Sequence, residues 1–179
     1  MLKKCYNYVT KSKKVLQSGV KCGIIILTNE REVSTMKKII IEQLERVYKN
    51  NGQHFEQCAT FTYTGEIRHH DNVPYDKGSD IPEYHISVKS SAFSLASAKL
   101  VKGETVEEQL AYYMEHTASE KILYVTENYD GYEMNLTEFA EFILAFGYMT
   151  RESEKSGGGL KVRARKESKK MLQWFAERV

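Results

Sequence analysis

The later half of the chain carries the clearest hydrophobic periods. Val106, Leu110, Tyr113 and Met114 recur at helical spacing behind Thr105-Val106-Glu107-Glu108. A hydroxyl and a carboxylate three residues apart can cap each other's unpaired amides there, so a helix is expected from Val106 to about His116. Asn135 and Glu138 repeat that spacing ahead of Leu136, Phe139, Ala140, Ile143 and Leu144, which should face inward until Gly147 ends the helix. Between these helices, Lys121 to Thr126 reads as an apolar strand followed by a turn at Tyr129-Asp130-Gly131. Leu160, Val162 and Ala164 alternate with Lys161, Arg163 and Arg165, one strand of a hairpin whose loop holds Gly157-Gly158-Gly159. A last short helix over about Ser168 to Arg178 buries Met171, Leu172 and Phe175 or Trp174.

Upstream, Met36, Ile39, Ile40, Leu44, Val47 and Tyr48 predict a helix from Ser34 to Asn50, stopped by Asn50-Asn51-Gly52. The period then changes to two. Cys58 to Thr64 reads as a strand, Gly65 as a turn and Glu66 to Val73 as its partner, with turn chemistry at Asp76-Lys77-Gly78-Ser79. From Tyr84 to Ser90, Tyr84, Ile86 and Val88 face one way and His85, Ser87 and Lys89 the other. Near the start, a helix over Lys11 to Leu16 and a strand over Gly23 to Thr28 complete the reading. Helices interleaved with strands bury their stripes most economically as a mixed sheet flanked by helices, an α/β (α+β) fold. A basic segment (1–22), a core (23–147) and a basic hairpin with a terminal helix (148–179) are the expected divisions.

Charge sharpens that division. The chain of 179 residues has a net charge of only +2. Residues 1–22 nevertheless hold six lysines and no acid, and residues 151–170 hold eight Lys and Arg against three Glu. The body between is acidic, a pattern that suits a metal centre set within a polyanion-binding surface. The three cysteines are widely spaced and form no CxxC pair, which points away from a disulfide framework or a zinc site. The apolar stretch Gly23 to Leu27 is shorter than the ~7–15 residues of a secretion-signal core, so a reduced, cytoplasmic setting without a membrane is expected.

Chemistry concentrates between Gly78 and Ser91. Asp80 stands at a strand entrance and Lys89 follows nine residues later inside the alternating strand, so a short turn can bring them together. A carboxylate there can hold Mg²⁺, or Mn²⁺, and a neighbouring ammonium can stabilise charge on a phosphate. His69-His70-Asp71 offers no equivalent, because adjacent strand histidines point to opposite faces. Asn135-Leu136-Thr137 is a helix cap that happens to match a glycosylation acceptor. There is no P-loop, GxSxG, HExxH or Rossmann fingerprint.

This stretch resembles the motif of the PD-(D/E)xK nuclease superfamily, which includes restriction endonucleases and Holliday-junction resolvases. The element order from residue 34 to 126 is similar to that family's αβββαβ core. The resemblance implies Asp80 as the motif aspartate, Lys89 as the motif lysine, and a Mg²⁺-dependent DNA endonuclease. Ser87 stands where Asp or Glu is usual, as in the Ser-x-Lys variant, whose missing carboxylate comes from a following helix. Glu104 and Glu107 are the candidates there, since Glu108 is engaged by the cap, and Glu83 is a further substitute by alternation. Glu42 and Glu45 lie on the expected first helix, where some members place another acid, but ordinary surface charge beside Lys38 and Lys49 is the favoured reading of them. Many members cut as dimers, which admits a homodimer here.

Lys161, Arg163 and Arg165 share the polar face of the expected hairpin, with Lys166 beside them. Helix, glycine-tipped hairpin and helix is also the order of a winged DNA-binding module. Such a ribbon reads phosphates and gives salt-sensitive binding. Two rivals follow from the same residues. One is a non-catalytic DNA-binding accessory protein on a degenerate nuclease fold; the other is a module that binds acidic protein.

Overall fold

The computed structural model describes residues 35–68, 79–95, 102–151 and 159–179. The readings placed on Lys11–Leu16, Gly23–Thr28, His69-His70-Asp71, Asp76–Gly78 and the triple-glycine tip before Gly159 lie outside these residues. Within them the architecture is mixed α and β, as the interleaved periods predict. The elements run β1 (Lys37–Ile40), α1 (Asn51–Thr64), β2 (Ile86–Ser90), α2 (Val106–His116), β3 (Lys121–Val125), β4 (Asp130–Asn135), α3 (Leu136–Phe146), β5 (Gly147–Arg151), β6 (Leu160–Ala164) and α4 (Lys169–Ala176). Among the described residues, no helix is long and apolar enough to cross a membrane.

Four strands form a mixed sheet in the order β1-β4-β3-β2. The β1–β4 and β3–β4 pairs are antiparallel, and β2 runs parallel to β3 after the α2 crossover. Central strand β3 is buried on both faces, which accounts for its unbroken Ile122-Leu123-Tyr124-Val125 run. Ile122 and Tyr124 face a large aromatic core with α2, α3 and α4, while Leu123 and Val125 face a smaller cluster beneath α1. Hairpin β5–β6 packs into the aromatic core through Val162 and Ala164.

Three helices start as their local signals predict. Thr105 Oγ1 accepts from Glu108 N, Ser168 Oγ accepts from Met171 N, and Asn135 with Glu138 forms a complete capping box. The Glu108 carboxylate accepts from Glu104 N rather than closing back on Thr105. In α3 the buried face includes Phe142, whereas Leu144, expected inside, is exposed.

Residues 35–64 reverse the sequence reading. Residues 34–50 do not form a helix in the part described; Lys37–Ile40 is a strand, and 41–48 lacks regular structure. Consecutive β-branched Ile39, Ile40 and Ile41 favour extension, and β4 receives them at Gly131. A Cβ at Gly131 would lie 2.9 Å from Ile41 Cδ1 and 3.1 Å from Ile39 O, so any side chain there would crowd this approach. Conversely, Cys58–Thr64 belongs to α1 rather than to a strand. Asn50 caps the start of α1 by accepting from Gly52 N, and Gly65 closes its end in the left-handed conformation, φ 72°. Both expected breakers therefore bound a helix. Burial of Phe55, Cys58 and Ala59 against β2 overrides the local β propensity of its threonines and aromatics. Glu66–Arg68, the described part of the expected partner strand, has no regular structure.

Candidate active site

The approach to β2 is a tight turn rather than a straight strand from Tyr84. Ile81 and Ile86 exchange backbone hydrogen bonds of 2.9 and 3.2 Å across Pro82–Tyr84, a single 3-10 turn that His85 closes with φ 54°. Proline at the first position suits that turn because its missing N–H would have had no partner there. The turn lays Asp80 alongside β2. Its Oδ2 accepts from Val88 N at 2.6 Å and from Ser87 Oγ at 2.9 Å, while Lys89 Nζ donates to Ser87 Oγ at 3.2 Å. Ser87 is buried, and Asp80 and Lys89 are half-buried. Asp80, Ser87 and Lys89 thus meet at an edge of the described sheet, with the second carboxylate oxygen of Asp80 outside these bonds.

Among the described residues, no hydrogen bond joins the candidate carboxylates Glu83, Glu104 and Glu107 to Asp80, Ser87 or Lys89. Glu83 sits on the 3-10 turn, so strand alternation does not apply, and Arg68 grips its carboxylate at 2.6 and 3.1 Å. That guanidinium also holds the exposed Glu83 carboxyl below its ordinary range. Arg68 was not distinguished by any periodic signal. Glu104 precedes the cap of α2 and Glu107 lies on its first turn, both exposed. Glu42 and Glu45 are exposed in the irregular segment after β1, not on a helix. No group of three or more His, Cys, Asp and Glu able to hold a metal occurs among the described residues. A Mg²⁺ ion needs no such cluster, since one or two carboxylates with waters and substrate phosphates can hold it.

The basic ribbon is real but differs in detail from the alternation. Arg163, Arg165 and Lys166 are exposed, and Lys166 lies 3.6 Å from Glu127. Lys161 is only 6% exposed, so it does not share an open face with Arg163. Burial, and then the charge of Arg163, lowers its ammonium pKa. The hairpin is also tied down by a residue whose role depends on distant partners. Buried Gln109 on α2 donates Nε2 to Gly103 O and Leu160 O and accepts from Val162 N at Oε1. Its amide extends the hydrogen-bond ladder along β6.

On the opposite side of the sheet, Tyr63 Oη and Lys121 Nζ both donate to the Glu133 carboxylate at 2.7 Å. These bonds hold Glu133 below its ordinary pKa despite its burial. Comparison with known proteins assigns the chain to no family: no family model, no curated protein and no solved structure matches it.

Proposed function

We propose that the protein is a Mg²⁺-dependent DNA endonuclease built on a restriction-endonuclease-like core of the PD-(D/E)xK superfamily. The observation that carries the reading is the contact chain Asp80–Ser87–Lys89, in which residues from a turn and an edge strand meet at 2.9 and 3.2 Å. The sequence of α1, β2, α2 and β3, with β2 and β3 parallel, is compatible with the helix and the closing strand–helix–strand of an αβββαβ core. In this alignment the first helix of the core is Asn51–Thr64.

Val88 N–H and the Ser87 hydroxyl orient the Asp80 carboxylate through one oxygen, leaving the other to hold the ion. The ion, when bound, neutralises phosphate charge and favours ionisation of an attacking water. Lys89 spends one N–H on Ser87 and has two more for the developing charge on the phosphate. Glu104 or Glu107 would need to approach from α2 to add a second carboxylate.

A second reading has its own support. Serine in the usual carboxylate position, together with Glu83 bound by Arg68, also suits a DNA-binding accessory protein that no longer cuts. Incubation of supercoiled plasmid with Mg²⁺ or Mn²⁺ separates the two. The endonuclease reading expects nicking that Lys89→Ala and Asp80→Asn reduce at least 100-fold. Absence of nicking by the parent across divalent ions, with DNA binding retained and indifferent to Mg²⁺, selects the accessory protein.

A further inference from the structure

The β5–β6 hairpin is widened by a third segment. Phe93–Leu95 runs antiparallel beside β6: Leu95 N donates to Val162 O and Ala164 N to Phe93 O, both at 2.9 Å, and Ser94 stands opposite Arg163. On the other side of β6, Arg163 is in register with Tyr148 of β5. Residues opposite one another in antiparallel strands project to the same face, so Ser94, Arg163 and Tyr148 form a row across three strands. Their chain neighbours Leu95, Val162 and Ala164 are buried in the aromatic core, and Phe93 and Met149 pack against it. The row therefore projects away from that core. Lys161, two residues before Arg163, is buried and bounds the open area on one side, while Arg165 is exposed just beyond the end of β6.

The groups at this surface are unengaged. Tyr148 is 41% exposed, and among the described residues neither its ring nor its hydroxyl has a partner. The guanidinium groups of Arg163 and Arg165 are exposed and equally without an ion pair there. Trp174 shows the contrary case, because the Arg178 guanidinium lies 3.9 Å over its ring and covers it.

An open aromatic face beside unpaired cations complements a ligand that carries a planar ring and an anion at short spacing. A nucleotide has both. In a duplex the base faces are covered by neighbouring pairs and phosphate is what the ribbon would meet. In a single strand the bases can also be splayed out and stacked on an aromatic side chain.

We infer that the outer face of this three-stranded ribbon binds single-stranded nucleic acid, with a base stacked on Tyr148 and neighbouring phosphates paired with Arg163 and Arg165. The inference rests on the proposed reading of the ligand as nucleic acid, and it is independent of hydrolysis at Asp80.

The test is fluorescence anisotropy in EDTA with an oligothymidylate and a duplex of the same length, alongside plasmid nicking in Mg²⁺. Tyr148→Ala should weaken binding of the single strand about 5- to 150-fold and leave the duplex unaffected. Tyr148→Phe should bind like the parent, since stacking needs the ring and not the hydroxyl. Arg163→Gln with Arg165→Gln should flatten the slope of log affinity against log salt by up to about 1.4 units on the single strand. Should Tyr148→Ala lower the melting temperature, Tyr148→Leu replaces it and must lose what Tyr148→Phe keeps. Unchanged single-strand affinity in Tyr148→Ala overturns the inference, and so does an equal loss on the duplex. Binding of polyglutamate as tight as that of the oligothymidylate also overturns it and assigns the ribbon to acidic protein. Nicking by a parent whose single-strand affinity ignores Tyr148 leaves hydrolysis standing without this surface. Tyr148-dependent binding without nicking leaves the surface standing and removes hydrolysis.

Discussion

The two faces of the central sheet bury different chemistry. On the α2–α3–α4 side, Phe142 contacts the rings of Phe93, Tyr124, Phe139, Phe146, Trp174 and Phe175, and Tyr132 stacks on Phe175 at 4.3 Å. Beneath α1 the cluster is smaller, and the helix buries His54, Gln57 and Thr60 beside its apolar residues. The contrast extends to hydrogen bonds. Gln109 on the aromatic side has both ends of its amide satisfied, whereas Gln57 Oε1 and His54 Nδ1 are buried without a hydrogen-bond partner among the described residues. Apolar burial scales with stabilisation, and each unpaired buried polar atom costs part of it. The aromatic face therefore anchors the fold and the ribbon, while α1 is held on by a thinner margin.

Truncating the two faces gives the largest expected effects. Phe142→Ala should cost about 3–5 kcal/mol, whereas Phe55→Ala should sit at or below the lower end of that range. Equal losses in urea unfolding would break the comparison.

The two glutamines provide the next contrast. Gln109→Leu should lose about 1–3 kcal/mol, because Val162 N, Gly103 O and Leu160 O lose their shared partner. Gln57→Leu should be neutral or stabilising, since it removes an unpaired acceptor. Matching destabilisation by both variants would mean that polar satisfaction does not distinguish the faces.

Acid should act on the α1 face next. Burial, and then the charge of Arg46, holds the His54 imidazole below its ordinary value, while Nε2 shares a 2.9 Å hydrogen bond with Tyr129 Oη. The unfolded chain, with an ordinary pKa of about 6.5, binds the proton first, so stability falls as pH drops below that value. The slope from this group is at most about 1.4 kcal/mol per pH unit. Urea unfolding at pH 7.5, 6.5 and 5.5 should show the decline, and His54→Gln should flatten it; an unaltered decline removes His54 as its cause.

The smallest effect is local to the start of α1. Asn50→Ala should cost about 1 kcal/mol by removing the bond to Gly52 N. Amide hydrogen exchange should accelerate in α1 more than in β3, and uniform acceleration would show that the helix does not open separately.

Helix starts at Thr105, Asn135 and Ser168 were legible in the sequence because a cap is completed within three residues. The two-sided burial of β3 and the shared side of Ser87 and Lys89 follow equally from local composition and the pleat. Tertiary structure decided the rest. Residues 36–48 satisfy a helical period, yet Gly131 on β4 offers them a close-packed strand position. Cys58–Thr64 satisfies a strand period, yet the helix caps and the cluster around Phe55 place it in α1. Glu83 is oriented by a turn and Arg68, and Lys161 is buried despite its charge. In each case several states are compatible with the local pattern, and the one that forms depends on surfaces supplied by distant residues.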